Sequence, residues 1–251
     1  MSHFFELLYL LVQKELKVRY KSSVLGYLWA LANPFAFALV YYIAFKLIMR
    51  VQMPNYSIFL LTGMFPWVWL TNSFIQATGS FRHSASLVKK VDLARAVLPL
   101  GSVVHEMVHF CFALPIVCLF IFFTGSDVHL SWLWQFPVMS ILQLILIYPV
   151  ALILAISNVY VHDVEYLVSI GLSMLFFLTP IVYPVSMVPE KYRYYFDWSP
   201  ISSLIESWRS VFLHGSFDIN HMSFCLFTAL ILSLCAYLFY KRTIHKMGEL
   251  L

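Results

Sequence analysis

The chain has 251 residues, of which 61% are hydrophobic and 11% charged, whereas a soluble domain averages about 45–50% apolar and about 25% charged. With a mean hydropathy of +0.82 as well, a water-soluble globule is excluded. Sixteen Lys and Arg against twelve Asp and Glu leave a net charge of +4, too small to point to nucleic acid as a partner.

A helical crossing takes about 20 residues. The chain therefore has room for six spans and their loops, but not also for a separate nucleotide-binding domain of ordinary size. Residues 2–16 form an apolar stretch, too short to cross, that becomes charged at its end, where Lys14 opens a basic series continued by Lys17, Arg19 and Lys21. This pattern predicts an amphipathic helix lying in the cytoplasmic interface, with a frayed terminus as the alternative. The apolar start runs into those basic residues rather than into a small-residue cleavage site, so no removed export signal is expected.

Uninterrupted apolar runs then predict spans at 24–49, 57–80, 100–124, 132–157 and from 164 to a fading end near 183, with a last span at 222–240. The basic residues divide unevenly between the two sides. Lys14, Lys17, Arg19, Lys21, Arg82, Lys89, Lys90, Arg95, Lys241, Arg242 and Lys246 fall on one side, and Lys46, Arg50, Lys191, Arg193 and Arg209 on the other. Cytoplasmic loops carry the Lys/Arg excess, so both termini are expected in the cytoplasm, which an even number of spans satisfies.

Two connectors carry more information than a loop needs. In 82–98, Leu87, Val88, Val91, Ala94, Val97 and Leu98 can form one stripe bordered by Lys89, Lys90 and Arg95. Such an amphipathic helix lies on lipid or lodges in a partner's groove. The outer stretch 184–221 is long for a structureless loop, and Ile201, Leu204, Ile205, Trp208, Val211 and Phe212 recur in it at helical spacing. Ser199 can cap that helix, Pro200 suits its first turn and Gly215 can end it. A re-entrant helical hairpin on the outer side is expected, with a helix resting flat on the outer surface as the alternative.

The sharpest local motif is His105-Glu106-Met107-Val108-His109, an H-E-x-x-H on the third span. In zinc proteases the two histidines hold the metal and the glutamate is the base. A catalytic zinc usually takes three protein ligands, and Asp127 lies at the far end of the span. Polar contact with a neighbouring helix, or exposure to a watery cavity, is the simpler expectation. Cys111, Cys118, Cys225 and Cys235 sit in apolar runs without a Cys-x-x-Cys pair, so buried free thiols are expected. Trp132 and Trp134 suit an interfacial belt. Phe35, Phe37, Tyr41, Tyr42, Trp67, Trp69, Phe176 and Phe177 fall at mid-span depth. Lipid-facing packing accounts for such residues, but buried Tyr and Trp need partners for their polar atoms, and a conduit for a hydrated substrate supplies them. No phosphate-cradling G-x-x-x-x-G-K-[ST] loop is present, so energy-driven work needs a nucleotide-hydrolysing partner.

Taken in order, Leu16-Lys17-Val18-Arg19-Tyr20-Lys21, Ser23-Val24-Leu25-Gly26-Tyr27-Leu28-Trp29, Asn33-Pro34, Leu87-Val88-Lys89-Lys90-Val91, Leu98-Pro99-Leu100, Phe177-Leu178-Thr179-Pro180-Ile181-Val182-Tyr183-Pro184 and Met187-Val188-Pro189 cover nearly the whole chain. The set resembles the permease subunit of ABC transporters that export polysaccharides, the Wzm-like family with its capsule and teichoic-acid relatives. Where that family usually has Tyr-Phe-Pro-Arg, this chain has Asp92-Leu93-Ala94-Arg95; its Arg-Asp is His162-Asp163, and its Asn-Pro is Ser199-Pro200.

The resemblance implies an all-α membrane protein with one ABC-type transmembrane domain. An interfacial helix and linker would occupy 1–21, five helices 24–183, an outer gate hairpin 184–221, a sixth helix 222–240 and a cytoplasmic tail 241–251. It implies a homodimer in the cell inner membrane, paired with two copies of an ATPase that binds the ATP and Mg, so that this chain needs no cofactor or metal and is no enzyme. The substrate would be a polysaccharide on a lipid carrier, commonly undecaprenyl diphosphate. Lys14, Lys17, Arg19 and Lys21 would contact its pyrophosphate. Phe35, Tyr41, Tyr42, Trp67, Phe176 and Phe177 are the candidates to line the channel. Arg82, Lys89, Lys90, Arg95, His162 and Asp163 would couple to the ATPase. Pro180, Tyr183, Pro184 and Trp208 would form the outer gate. The competing functions are an intramembrane zinc protease and an ABC permease for lipids or drugs.

Overall fold

The structure is a computed structural model that describes residues 2–20, 28–48, 50, 53, 55–85, 94–125 and 127–250. Nothing but helix and connecting turns is found among them. Helix α1 (Ser2–Tyr20) is followed by α2 (Leu28–Tyr41), which continues directly into a π-helical segment (Tyr42–Ile48). Then come α3 (Tyr56–His83), α4 (Val97–Phe123), α5 (Trp132–Tyr160) and α6 (Val164–Leu178). After a single 3₁₀ turn (Val185–Met187) the chain forms α7 (Glu190–Asp197), α8 (Pro200–His214) and the long α9 (Ile219–Leu250).

Four helices, α3, α4, α5 and the 219–244 part of α9, are long and apolar enough to cross a membrane. α3 is the central one: it packs on α2, α4, α5, α6 and α8. Its buried residues run all round the helix, from Tyr56, Phe59 and Leu60 to Trp69, Phe74, Ala77 and Phe81, as expected of a helix enclosed by others. α9 packs chiefly against α5 and α8 and leaves Phe227, Leu230, Leu234 and Tyr237 exposed. Apolar surface of that kind is stable in lipid, where it would be a liability in water.

Prolines sit inside α3 (Pro66), α4 (Pro115) and α5 (Pro137 and Pro149). An internal proline removes a backbone donor, and in an apolar surrounding neighbouring helices must satisfy what is freed. At Pro66, Gln143 Nε2 on α5 donates to the proline's own carbonyl at 2.9 Å and ties the two helices together.

The outer helix α8 forms as its sequence predicts. Ser199 Oγ accepts from the Ser202 amide, Pro200 occupies the first turn, and Gly215 ends the helix at φ +59°. A Cβ at Gly215 would run into the His129 ring, so glycine is required there by both conformation and space. The exposed C-terminal carbonyls of α8 are met from the start of α5: Trp132 Nε1 donates to the Val211 carbonyl at 2.8 Å, and Ser131 and Gln135 donate to that of Gly215 at 3.0 and 2.8 Å. Trp132 is therefore an anchor for α8 and buried, not part of an interfacial belt; Trp134 is exposed.

The cysteines are free, as expected, but only Cys225 is buried; Cys111 and Cys235 are exposed on outward helix faces and Cys118 is half-buried. Small apolar side chains are as comfortable against lipid as in a protein core, so an apolar run does not distinguish the two.

Candidate functional site

Between α3 and α6 runs a groove of about 380 Å³ with Trp67, Thr71 and Asn72 on one wall and Ser169, Ser173, Phe176 and Phe177 on the other. Residues 67 and 71 share a face because they are one helical turn apart, as are 169 and 173. The Trp67 and Phe176 rings lie 5.8 Å apart, and Phe176 meets Phe177 edge-on at 5.2 Å. Thr71 and Ser173 donate to carbonyls of their own helices, which leaves their oxygens as acceptors. Aromatic faces beside hydroxyls and an amide suit a substrate with both C–H faces and O–H groups. Most of α6 beyond this wall is exposed and apolar, including Leu167, Ile170, Met174 and Leu178.

Three of the six channel candidates, Trp67, Phe176 and Phe177, thus share one groove. Phe35 does not join them: it packs edge-on against Phe65 and Phe120. Tyr42 is half-buried against the main core, and the Tyr41 side chain lies outside what the structure describes.

A second, polar cleft of about 480 Å³ opens where α1, α3, α4 and α6 meet, lined by Lys14, Glu15, Gln76, Ser80, His83, Ser102, His105 and Glu165. α1 reaches it by docking on α4, with Leu11 and Val12 buried and the Leu11 side chain against Gly101. Its Phe5, Tyr9 and Leu10 remain exposed, the disposition of a helix with one face on protein and one on lipid. Of the four basic residues considered for anion contact, Lys14 lines the cleft and Lys17 is exposed; Lys21 and the Arg19 side chain fall outside the described residues.

Beside the cleft, the H-E-x-x-H motif is buried in α4. Asn72 Nδ2 donates to Glu106 Oε2 at 3.1 Å, and Gln76 Nε2 donates to Glu106 Oε1. The polar contact with a neighbouring helix expected from the sequence is therefore present. Asn72 also lines the aromatic groove, so one side chain joins the two sites.

At the same end, Arg82 is exposed and 3.8 Å from Glu165. His162 and Asp163 are exposed in the turn between α5 and α6. Arg95 is engaged within the chain, its Nη1 donating to the Ile244 carbonyl of α9 at 2.6 Å. Lys89 and Lys90 lie outside the described residues.

The opposite end holds the linker from α6 to the outer helices. Pro180, Ile181 and Val182 are buried, and Tyr183 and Pro184 half-buried. Tyr56 donates to the Val182 carbonyl at 2.7 Å, Arg209 Nη2 to that of Ile181 at 2.7 Å, and Tyr183 to that of Phe177 at 2.9 Å. The Arg209 guanidinium also pairs with Glu206 at 2.7 Å and stands 3.6 Å over the Phe59 ring. Gly63 makes room for it, since a Cβ there would approach Arg209 Nη2 to 2.9 Å. Arg209 and Tyr56 were not singled out from sequence; the available signal was an arginine within the apolar pattern of 201–212. Trp208, a candidate gate residue, is fully buried and donates to Gln143 Oε1 at 2.6 Å.

Together these features describe a helical membrane protein with an aromatic groove and an anchored outer cap, and its sequence relationships agree. The sequence model of the ABC-2 type transporter family matches residues 6–213, and the chain belongs to that family. It is 40% identical over 251 residues, all of this chain and 97% of the relative, to an "O-antigen export system permease protein RfbA" of Klebsiella pneumoniae. A protein of the same name from Myxococcus xanthus is 34% identical over 82% of this chain and 80% of its own length. The "Polysialic acid transport protein KpsM" of Escherichia coli is 24% identical over 89% of each. The chain is thus a transporter component, a permease of the polysaccharide-export group, rather than an enzyme. The protease alternative finds no support: Glu106 is held by two amides, and the relatives are named as permeases and transport proteins.

Proposed function

We propose that this chain is the permease half of an ATP-driven exporter that carries a lipid-linked, O-antigen-like polysaccharide from the cytoplasm across the inner membrane. The carrying observation is the groove between α3 and α6. It offers Trp67, Phe176 and Phe177 for sugar C–H faces and Thr71, Asn72 and Ser173 for hydroxyls, and such contacts tolerate a polymer sliding past. A second copy of the chain closes this groove into a channel across the exposed face of α6. Two copies of a separate ATPase, holding ATP and Mg, drive the pair through the cytoplasmic elements around Arg82, Lys89, Lys90, Arg95, His162 and Asp163.

Six spans complete the topology. To the four long helices are added α2 with its π-helical continuation, 28–48, about 31 Å long at the helical rise, and α6 with the buried linker that follows it. Both termini then lie in the cytoplasm, in keeping with the distribution of basic residues. The α7–α8 hairpin enters the outer end of the bundle. Its Trp208 meets Gln143, eleven residues into α5 and about 16 Å from that helix's start, which supports a hairpin sunk into the bundle over one resting on it. Pro180, Tyr183 and Pro184 lie in the linker that this hairpin would move as an outer gate. At the cytoplasmic end, Lys14 with Lys17, Arg19 and Lys21 would receive the pyrophosphate of a carrier such as undecaprenyl diphosphate.

Deleting the gene should remove the polymer from the cell surface while lipid-linked polymer accumulates inside. The wild-type chain should restore display, and a Trp67→Ala/Phe176→Ala chain, present at equal level, should not. Surface polymer that persists in the deletion strain would overturn the proposal. So would a purified chain that never carries an ATPase subunit in equal number.

A further inference from the structure

The transport reading leaves the buried histidine–glutamate group of α4 without a role. Among the described residues, His105, Glu106 and His109 are the one group of three whose candidate ligand atoms lie close together, all within 4.8 Å of one another. The two imidazoles, one helical turn apart, present their Nε2 atoms to each other at 3.0 Å. Glu106 Oε1 stands 3.7 Å from the same His105 Nε2. All three side chains are at most 5% exposed. Between two Nε2 atoms so placed there is room for a shared proton or for a cation bound to both.

We propose that His105, Glu106 and His109 bind one divalent transition-metal ion, Zn²⁺ by the nature of the donors. Two imidazole nitrogens and one carboxylate oxygen are a donor set that suits Zn²⁺ better than Mg²⁺ or Ca²⁺, which prefer oxygen alone. The surroundings are those of a built site. Asn72 and Gln76 from α3 fix both oxygens of Glu106, and Glu15 from α1 faces His105 Nδ1 at 3.8 Å. At that distance Glu15 adds negative charge beside the histidine but no hydrogen bond. Charge points the same way: Glu106 is a buried carboxylate, and a cation beside it offsets a charge that burial penalises. His105 lines the polar cleft, so an ion and a completing water have a path in. The ion is structural. It holds one turn of α4, which Asn72 and Gln76 tie to α3 through Glu106, and a Glu106 occupied by metal and two amides is no base for hydrolysis. This inference does not depend on which polymer is carried.

The full-length chain, purified in detergent with a tag free of histidine, is stripped with EDTA and returned to Zn²⁺ or Co²⁺. About one zinc per chain is expected by elemental analysis. A tetrahedral-type Co²⁺ absorption should saturate at one equivalent and bleach on addition of Zn²⁺. Glu106→Gln should weaken zinc binding, and His105→Gln/His109→Gln should abolish the cobalt signal. Should the double variant not fold, the wild-type stoichiometry and spectrum decide alone. Zinc at background in the wild-type chain, or metal retained equally by a folded double variant, overturns the site.

Discussion

Trp208 of α8 and Gln143 of α5 are both fully buried and joined by a 2.6 Å hydrogen bond from the indole Nε1 to the amide Oε1. The other end of the same amide donates to the Pro66 carbonyl at 2.9 Å, so one glutamine ties three helices. Gln143→Leu leaves two buried polar groups without this partner, each such loss costing about 1–3 kcal/mol. A clear drop in the thermal unfolding midpoint of the purified chain is expected. Combining it with Trp208→Phe should cost less than the two single changes summed, because the second substitution removes a group the first has already orphaned. Strict additivity would show that the pair does not act as a unit.

Trp67 and Phe176 belong to the buried core as well as to the groove, so transport is separated from stability by reading export per chain. Loss of one aromatic contact is worth about 0.5–1.5 kcal/mol, or roughly two- to tenfold in affinity. Trp67→Ala and Phe176→Ala should therefore lower the polymer reaching the surface by several-fold in an immunoblot normalised to chain level. Phe35→Ala, removed from a packed contact with Phe65 and Phe120, should lower chain abundance and leave export per chain unchanged. Equal export defects per chain from all three would argue against a groove-specific role.

Arg209 of α8 holds the linker after α6 through the Ile181 carbonyl, and is itself positioned by Glu206 of the same helix and by the Phe59 ring of α3. Arg209→Met removes both polar contacts and leaves the buried Ile181 carbonyl without this partner, a loss of about 1–3 kcal/mol. Arg209→Lys should recover little, since an ammonium cannot reproduce the planar fork and the ring stacking together. Limited proteolysis offers the readout: cleavage within 179–199 should accelerate in both variants. Protection equal to wild type in Arg209→Lys would reduce the contact to simple charge.

Charge reversal at Lys89 and Lys90 should impair stimulation of the partner ATPase while the chain still inserts and its termini remain accessible from the cytoplasm. The measurement is ATP hydrolysis by the co-purified assembly, alongside labelling of terminal tags. Normal stimulation would remove this connector from the coupling surface, and tags labelled from outside would reverse the topology.

The sequence was informative wherever a local rule was sufficient. Apolar runs of spanning length marked α3, α4, α5 and α9, because burial of a helix in lipid needs only composition and length. Ser199, Pro200 and Gly215 bounded α8 because caps act within a few residues. The ordered match from Leu16 to Pro189 carried the family. Beyond that range the sequence fell silent. It suggested an interfacial belt for Trp132, which is instead buried against α8, since an aromatic residue's surroundings depend on what packs over it. It gave no sign that Arg209 would sit against Gly63 and Phe59, or that Glu15 would face His105 from ninety positions away. Gln143 looked like one more polar residue in an apolar run until α3 and α8 were brought against it. Helices and their ends follow from interactions spanning about four residues. Grooves, buried polar partners and ligand sets are assembled from residues distant in sequence, so only the packing of the helices decides them.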